Sequence, residues 1–202
     1  MKELVEVFFK TESVVNHQID SMNHFVATKD STDNLMQMIV DDTKVSDDDE
    51  PGVIVLDPSK TGGKDIRIYF GRPREKGVPF GGPTIWVESP EIKEASGASN
   101  QITPHEARMR DLNYTAPIMI KLRVVEDGRE KEPETIKIGD MPVMVMSKVC
   151  TLSGNKLDSY IEKNNGPINA TRKEKLQYIG EDPEDSGGYF IISGSERVIV
   201  SL

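Results

Sequence analysis

The stretch Thr103 to Leu122, TPHEARMRDLNYTAPIMIKL, combines the start of a helix with the opening of a strand. Thr103 can cap a helix through its hydroxyl, and Pro104 suits the first helical position, where no backbone donor is needed. Glu106 stands at the spacing of a capping box, three residues after the cap. These residues predict a short helix beginning just after Thr103.

A strand is predicted directly after this helix. Pro117 excludes helical backbone beyond Ala116, because proline has no N–H to donate. Apolar residues then occupy every second position, at Ile118, Ile120, Leu122 and Val124. This is the spacing of a half-buried strand, so the whole stretch indicates a short helix feeding a strand.

The flanking segments indicate further short helices and antiparallel hairpins. The predicted helices are an amphipathic one from Thr11 to Val26, a second one capped by Ser31, and a third opened by the capping box of Thr171 and Glu174 and stopped by Gly180. Two strands, Val53 to Leu56 and Ile66 to Phe70, are predicted to pair, and Thr84 to Glu88 is a further strand whose Trp86 lies in the core or contacts another subunit. After the polar turn EDGREKEPE, the segment TIKIG is predicted to return along the central strand. The last predicted pair is Tyr189 to Ile192 with Arg197 to Leu202, connected by the turn SGSE. The SGASN segment is interpreted as a flexible bridge. The predicted fold class is α+β.

Composition favours an intracellular protein. The 202 residues are 36% hydrophobic and 29% charged, with no apolar run approaching the roughly 20 residues that span a bilayer. We expect no membrane segment and a cytoplasmic location, and the single Cys150 excludes an internal disulfide framework. A net charge of −9 argues against nucleic-acid binding through bulk electrostatics.

Several residues that suggest chemical sites are better explained by structure. His17 and His24 share a helix face without further metal ligands nearby, and Cys150 has no histidine close in sequence, so we expect packing and a buried thiol. The acidic run from Asp41 to Glu50 lacks the fixed glycine and the terminal-glutamate spacing of a calcium loop, so a solvated loop is expected. Gly62 to Lys64 lacks the first glycine of a phosphate loop. We predict neither catalytic nor metal-binding residues in this chain.

Several blocks of sequence, in order, resemble the second-largest subunit of multisubunit RNA polymerases. EARMRDLNYTAPI resembles its EAR-x-R-x-L-x-Y-x-API signature, and HQIDSMNHF, GDMPVMVMSKVCTL and DPEDSGGYFIISGSERVIVSL resemble further segments of the same family. The resemblance implies the fold of the domain called the protrusion, over residues 1–202. The family chain continues for several times this length, so we interpret the sequence as an N-terminal fragment or the product of a split gene, ending before the lobe. The short segment before the first helix resembles the archaeal version.

The resemblance also implies a function. It implies DNA-directed RNA synthesis, a nucleotidyltransferase reaction of transcription, in which Mg²⁺ ions are held by the largest subunit and no cofactor is bound by this chain. The expected contribution is one wall of the cleft near the RNA–DNA hybrid and the upstream DNA. Implied partners are the other polymerase subunits, template DNA, the hybrid, initiation factor B and a NusG-type elongation factor.

Five residues are candidates for nucleic-acid contacts. Arg197, supported by Ser195, is implied by the resemblance, with Glu196 free to pair with Arg197, Arg108 or Arg110 instead. Arg72, Arg74 and Lys76 lie in the most basic loop, GRPREKGVPFGGP, which is either a solvated connection or a phosphate contact. Arg108 and Arg110 are expected to be structural.

A rival hypothesis is an acidic docking module that binds initiation or elongation factors without touching nucleic acid. The net charge of −9 and the absence of a basic stripe favour it. Salt-dependent binding of DNA or hybrid would separate the two functions.

Overall fold

The computed structural model describes residues 13–31, 34–45, 50–72 and 82–200. Within these ranges the chain forms short helices and mostly short strands. The helices are α1 Asn16–Phe25, α2 Leu35–Asp42, α3 Pro104–Met109, α4 Asn155–Lys163 and α5 Arg172–Tyr178. The strands are β1 Val53–Leu56, β2 Ile66–Tyr69, β3 Ile85–Val87, β4 Glu91–Lys93, β5 Ser99–Gln101, β6 Thr115–Glu126, β7 Arg129–Glu130, β8 Glu134–Pro142, β9 Phe190–Ile192 and β10 Ser195–Arg197. Antiparallel sheets with several helices confirm the predicted α+β class. None of the described helices is long and apolar enough to cross a bilayer.

The chain divides into two compact units, each assembled from separate segments. Unit 1 comprises Met1–His24, Ser89–Ala116 and Met141–Leu202, and unit 2 comprises Phe25–Glu88 and Pro117–Asp140. Acidic residues outnumber basic ones in both units. The negative net charge is therefore a property of the whole chain rather than of one segment.

Unit 2 is organised around β6. The strands follow the order β1-β2-β6-β3, with β7 and β8 also pairing with β6. The predicted hairpin of β1 and β2 is confirmed, with Leu56 opposite Ile66, and the predicted return strand is β8. Asp127 and Gly128 have φ angles of 49° and 75°, so a tight turn of the primed type starts β7 inside the segment predicted as a polar turn. Trp86 on β3 is 7% exposed, which confirms its placement in the core.

Two local predictions are wrong. The cap of α2 is Asn34, whose side chain accepts from the Gln37 N–H. Ser31 contacts this cap through its carbonyl, which accepts from the Asn34 side-chain amide. The SGASN segment lies in a β4–β5 hairpin, in which Lys93 is opposite Ser99. Both errors concern short polar segments, where several residue types suit the same local structure.

Unit 1 contains α3, the helix predicted to begin just after Thr103. Thr103 caps α3 by accepting from the Glu106 N–H, as predicted, but the Glu106 carboxylate accepts from Arg110 instead of closing the capping box. Thr171 and Glu174 form a complete capping box on α5, as predicted. α4, which buries leucine and isoleucine one turn apart, was not predicted. Its signal is that spacing, preceded by a glycine.

Candidate nucleic-acid interface

The hairpin of β9 and β10 carries the residues expected to contact nucleic acid. The two strands are antiparallel, with Ser195 opposite Ile192. Ser193 and Gly194 connect them with φ angles of 49° and 70°, which is the geometry of a two-residue type I′ turn. Because this turn is so tight, pairing begins at Ser195, and the predicted answering strand from Arg197 to Leu202 is displaced.

The hairpin turn is fixed to the segment that follows α3. The Ser193 N–H donates to Asn113 Oδ1 at 2.8 Å, and the Gly194 N–H donates to the Leu112 carbonyl at 3.0 Å. A Cβ added at Gly194 would lie 2.6 Å from Asp111 Oδ1, so only glycine fits this contact. The EARMRDLNYTAPI block thus fixes the position of the hairpin turn in the DPEDSGGYFIISGSERVIVSL block through these two hydrogen bonds.

Arg108 ties α3 to three other segments of unit 1. Its Nη2 lies 3.0 Å from Glu181 Oε2 and 3.4 Å from the Tyr189 hydroxyl, and its Nε lies 3.6 Å from Glu196 Oε1. The Glu181 side chain is 2% exposed, and its other oxygen accepts from the His105 N–H at 2.5 Å. Arg108 is therefore occupied by carboxylates, which agrees with the structural role expected for it.

Burial dominates the electrostatics around this arginine. Desolvation raises the pKa of the Glu181 carboxyl, against the lowering effects of the His105 N–H and the Arg108 charge. Desolvation and the hydrogen bond to Asp185 raise the pKa of the Tyr189 phenol well above its ordinary value. Because the Arg108 guanidinium pairs with the almost fully buried carboxylate of Glu181, loss of Arg108 would leave that negative charge without an ion-pair partner.

The contact of Glu196 with Arg108 decides which way the rest of β10 points. Successive side chains of a strand point to opposite faces, so Ser195 and Arg197 point away from the face that meets Arg108. Both are exposed. Among the residues that the structure describes, no carboxylate lies within ion-pairing distance of the Arg197 guanidinium. Of the three partners considered for Glu196, the structure selects Arg108.

The basic loop predicted as a second contact lies in unit 2. Arg72 donates to Asp41 through both its backbone N–H and its Nε, each at 2.7 Å. The Asp41 side chain is 14% exposed and also accepts from the Gln37 amide. Arg72 is thus engaged in a partly buried ion pair. Arg74 and Lys76 lie outside the described residues.

Arg110 is also engaged. Its Nη1 lies 2.6 Å from Glu106 Oε1 and 3.1 Å from Glu94 Oε1. These pairs raise the pKa of the Arg110 guanidinium, the hydrogen bond to Glu94 contributing most. Arg110 therefore has the structural role predicted for it, on the exposed side of α3.

The remaining signature blocks meet the same part of unit 1. The Val143 N–H donates to the Tyr114 carbonyl and the Val145 N–H to the Tyr189 carbonyl, at 2.9 and 2.8 Å. The Lys148 N–H donates to the Asn23 side chain of the HQIDSMNHF block at 2.7 Å. The blocks that carry the resemblance thus form one connected structure.

Cys150 lies inside this structure as a free thiol. It is fully buried, and the Tyr114 hydroxyl donates to its Sγ at 3.3 Å. Burial raises the pKa of the Cys150 thiol, which keeps it protonated and confirms the buried thiol that was predicted. In the described part of the chain, no group of histidine, cysteine and acidic side chains is arranged to hold a metal ion.

Sequence reasoning missed the residues that hold Arg108. Glu181 and Tyr189 lie more than 70 positions after it, and no local pattern connects them to α3. The only signal is the glycine that ends α5, which places Glu181 immediately beyond a helix terminus.

Comparison with known proteins agrees with the sequence blocks. The family described as RNA polymerase beta subunit matches residues 13–202. The DNA-directed RNA polymerase subunit Rpo2N of Methanocaldococcus jannaschii is 35% identical over 205 residues, covering 100% of this chain and 32% of that protein. Rpo2N of Methanothermobacter thermautotrophicus is 36% identical, covering 98% and 30%. Rpo2 of Saccharolobus shibatae is 32% identical, covering 98% and 14%.

These relatives come from archaea, which agrees with the archaeal resemblance of the sequence. The chain spans less than a third of the length of the Rpo2N proteins and about one seventh of the Rpo2 protein. The match nevertheless includes every signature block and extends over nearly all of the chain. The chain therefore belongs to the RNA polymerase beta subunit family.

Proposed function

We propose that this chain is part of a DNA-directed RNA polymerase and that its β9–β10 hairpin contacts the phosphate backbone of the RNA–DNA hybrid or the upstream DNA. Family membership and the names of the relatives support the first half. The exposed Arg197, supported by Ser195 on the same face of β10, supports the second half. The chain is then one wall of the nucleic-acid cleft.

The observation that supports the proposal is that neighbouring side chains of β10 point in opposite directions. Glu196 faces the body of unit 1 through Arg108, so Arg197 is held on a rigid strand with its guanidinium in solvent. A guanidinium binds phosphate through parallel donors and stays charged at any relevant pH. Because the backbone of Arg197 is already ordered in β10, less conformational entropy is lost when the side chain binds phosphate.

The contribution of this chain is positional. Phosphate contacts fix register and orientation on a nucleic acid without reading its sequence. The metals and reacting groups belong to other parts of the assembly, as the resemblance implies. Since the chain carries a net charge of −9, neighbouring basic subunits supply most of the attraction that brings nucleic acid to this wall.

The test is the salt dependence of binding between the 202-residue chain and a fluorescent RNA–DNA hybrid. We expect Arg197→Gln to weaken binding and to reduce the slope of log affinity against log salt by about one. Arg110→Gln is the matched control, because Arg110 is engaged with Glu94 and Glu106 and should leave the slope unchanged. Absence of binding at low salt, or equal effects of the two variants, would contradict the contact.

A second candidate function is an acidic docking module for initiation factor B and a NusG-type elongation factor. The acidic excess in both units favours it. Calorimetry of each purified factor with the chain measures this function separately. Factor binding that persists in Arg197→Gln, together with no hybrid binding by the unmodified chain, would replace the nucleic-acid contact with the docking role.

A further inference from the structure

The segment between β8 and α4 brings three cationic side chains of unit 1 together. Lys148 lies in this segment and is partly buried. Lys156, in the first turn of α4, donates from Nζ to the Val149 carbonyl at 3.1 Å. Arg172, the first residue of α5, donates from Nη1 to the Leu152 carbonyl at 3.0 Å. We call Lys148, Lys156 and Arg172 the cationic cluster.

The segment orients these cations without neutralising them. The two carbonyl groups named above are uncharged, so they accept hydrogen bonds and leave the positive charges in place. In the described part of the chain, no carboxylate lies within ion-pairing distance of Lys148 or Arg172. Burial alone lowers the pKa of the Lys148 ammonium, whereas a neighbouring carboxylate would raise it. The cluster therefore keeps its positive charge uncompensated.

The acidic side chains on the surrounding elements are engaged elsewhere or lie apart from the cluster. Asp158 pairs with Lys175, Glu184 with Lys173 and Glu181 with Arg108, while Glu174 accepts from Thr171, Asp182 from the Glu184 N–H and Asp185 from the Tyr189 hydroxyl. Glu162 lies six positions after Lys156 on α4, about 9 Å along the helix axis. Asp20 is exposed on α1, one turn before the Asn23 side chain that accepts from the Lys148 N–H, and it forms no ion pair with Lys148.

The apolar side chains of the same segment are buried. Val149 and Cys150 are fully buried, and Leu152 is 1% exposed. A protein–protein interface has an apolar centre, which these residues cannot supply, whereas a phosphate backbone binds through charge. The segment therefore suits nucleic-acid phosphates better than an acidic segment of a protein.

We propose that Lys148, Lys156 and Arg172 form a second phosphate-binding site for the nucleic acid that Arg197 contacts. The Arg172 guanidinium uses one donor on the Leu152 carbonyl and has others for phosphate oxygens, and the two ammonium groups add point charges. The inference rests on the proposed function and deepens it, because it adds a second anchoring point within unit 1.

Hydrogen bonds join the two sites through the backbone. The Val145 N–H donates to the Tyr189 carbonyl at 2.8 Å, and the Gly188 N–H donates to the Val145 carbonyl at 3.0 Å. Tyr189 directly precedes β9, whose partner strand β10 carries Arg197. Both phosphate contacts are thus fixed to one part of unit 1, which lowers the conformational entropy lost when they bind one nucleic acid.

The experiment measures how binding of a fluorescent RNA–DNA hybrid to the 202-residue chain depends on salt. Lys148→Gln with Arg172→Gln should weaken binding about tenfold or more at low salt and reduce the slope of log affinity against log salt by about two. Lys173→Gln with Lys175→Gln is the matched control. It removes the same charge from unit 1, but both lysines pair with carboxylates, so the slope should stay unchanged. Circular dichroism checks that each variant is folded.

Lysine acetylation read by mass spectrometry tests the site in the unmodified chain, so it does not depend on the folding of a variant. Bound hybrid should remove most of the reactivity of Lys148 and Lys156. Lys60, which is exposed in unit 2, should react as before.

Several results would overturn the inference. Unprotected Lys148 and Lys156, or equal slopes for the two double variants, would exclude phosphate binding by the cluster. A polyglutamate peptide that binds more tightly than the hybrid, and loses affinity in Lys148→Gln with Arg172→Gln, would assign the cluster to an acidic protein segment.

The same measurements separate this inference from the proposed function. A slope reduced by Arg197→Gln but unchanged by Lys148→Gln with Arg172→Gln would exclude the cluster and leave the hairpin contact standing. The reverse result would support the cluster and exclude the contact of Arg197. No binding of hybrid by the unmodified chain at low salt would exclude both.

Discussion

Replacing Arg108 with methionine removes the cation while keeping an aliphatic side chain of similar length. Glu181, whose side chain is 2% exposed, then keeps only the His105 N–H as a hydrogen-bond donor among the contacts described above. Removing one partner of a buried ion pair costs about 3–5 kcal/mol. Because Arg108 itself is 24% exposed, we expect a loss near the lower end of this range, about 3 kcal/mol.

Protonation of Glu181 sets an independent ceiling on this loss. An ordinary glutamate has a pKa of 4.5, so protonating it at pH 7 costs about 3 kcal/mol, at 1.36 kcal/mol per unit. Losing the Arg108 charge removes an effect that lowers the pKa of Glu181, so the folded pKa of the variant lies further above 4.5 than that of the unmodified chain, and the stability lost by the variant grows as pH rises above 4.5. The loss should shrink to about 1 kcal/mol at pH 5.

The assay is urea unfolding followed by far-ultraviolet circular dichroism at pH 7 and pH 5. The matched control is Arg110→Met, at the end of the same helix, whose pairs with Glu94 and Glu106 are exposed and screened by solvent, so a much smaller loss is expected. Equal losses in the two variants, or a loss for Arg108→Met that does not shrink at pH 5, would refute the account of Glu181 as a buried charge.

Three further predictions follow from other contacts. Cys150, fully buried with a raised pKa, should react with a chromogenic disulfide reagent only after unfolding in urea, and rapid reaction of the native chain would contradict its burial. Gly194→Ala should lower the unfolding free energy at least about twice as much as Gly97→Ala, because both pay about 1 kcal/mol for positive φ but only Gly194 meets Asp111, and equal losses in urea titrations would exclude that contact. Hydrogen bonds from Lys131 and Lys64, together with their charges, lower the pKa of Glu126 to about 2, so its contribution to stability is lost as pH falls from 4.5 toward 2. Lys131→Ala should raise this pKa in a carboxyl NMR titration, and an unchanged value would show that the pair does not form in solution.

Local chemistry in the sequence predicted what local contacts determine. Thr103 caps α3 and Thr171 caps α5 because the accepting hydroxyl and the N–H that it satisfies lie three residues apart. The alternation after Pro117 predicted β6 because the two faces of a strand repeat every second residue. Such features need no knowledge of the rest of the chain.

The features that the sequence did not predict depend on contacts between residues far apart in the chain. Asn34 rather than Ser31 caps α2 because Gln37 is anchored to Thr84, 47 positions later, and this anchor determines where the helix starts. Arg108 was recognised as structural, but its partner Glu181 lies 73 positions away and leaves no pattern near it. The outward direction of Arg197 depends on a second long-range contact, between Arg108 and Glu196.

The division of unit 1 into separated segments has a consequence for synthesis on the ribosome. All of unit 2, ending at Asp140, is translated before the last segment of unit 1, Met141–Leu202, begins. At about 5–20 residues per second, that segment needs several seconds to emerge. During this interval Ala107 and Tyr114, fully buried in the finished chain, lack the later residues that complete their surroundings. A released chain that ends at Asp140 should therefore bind chaperones through the unfinished unit 1, while unit 2 already resists protease.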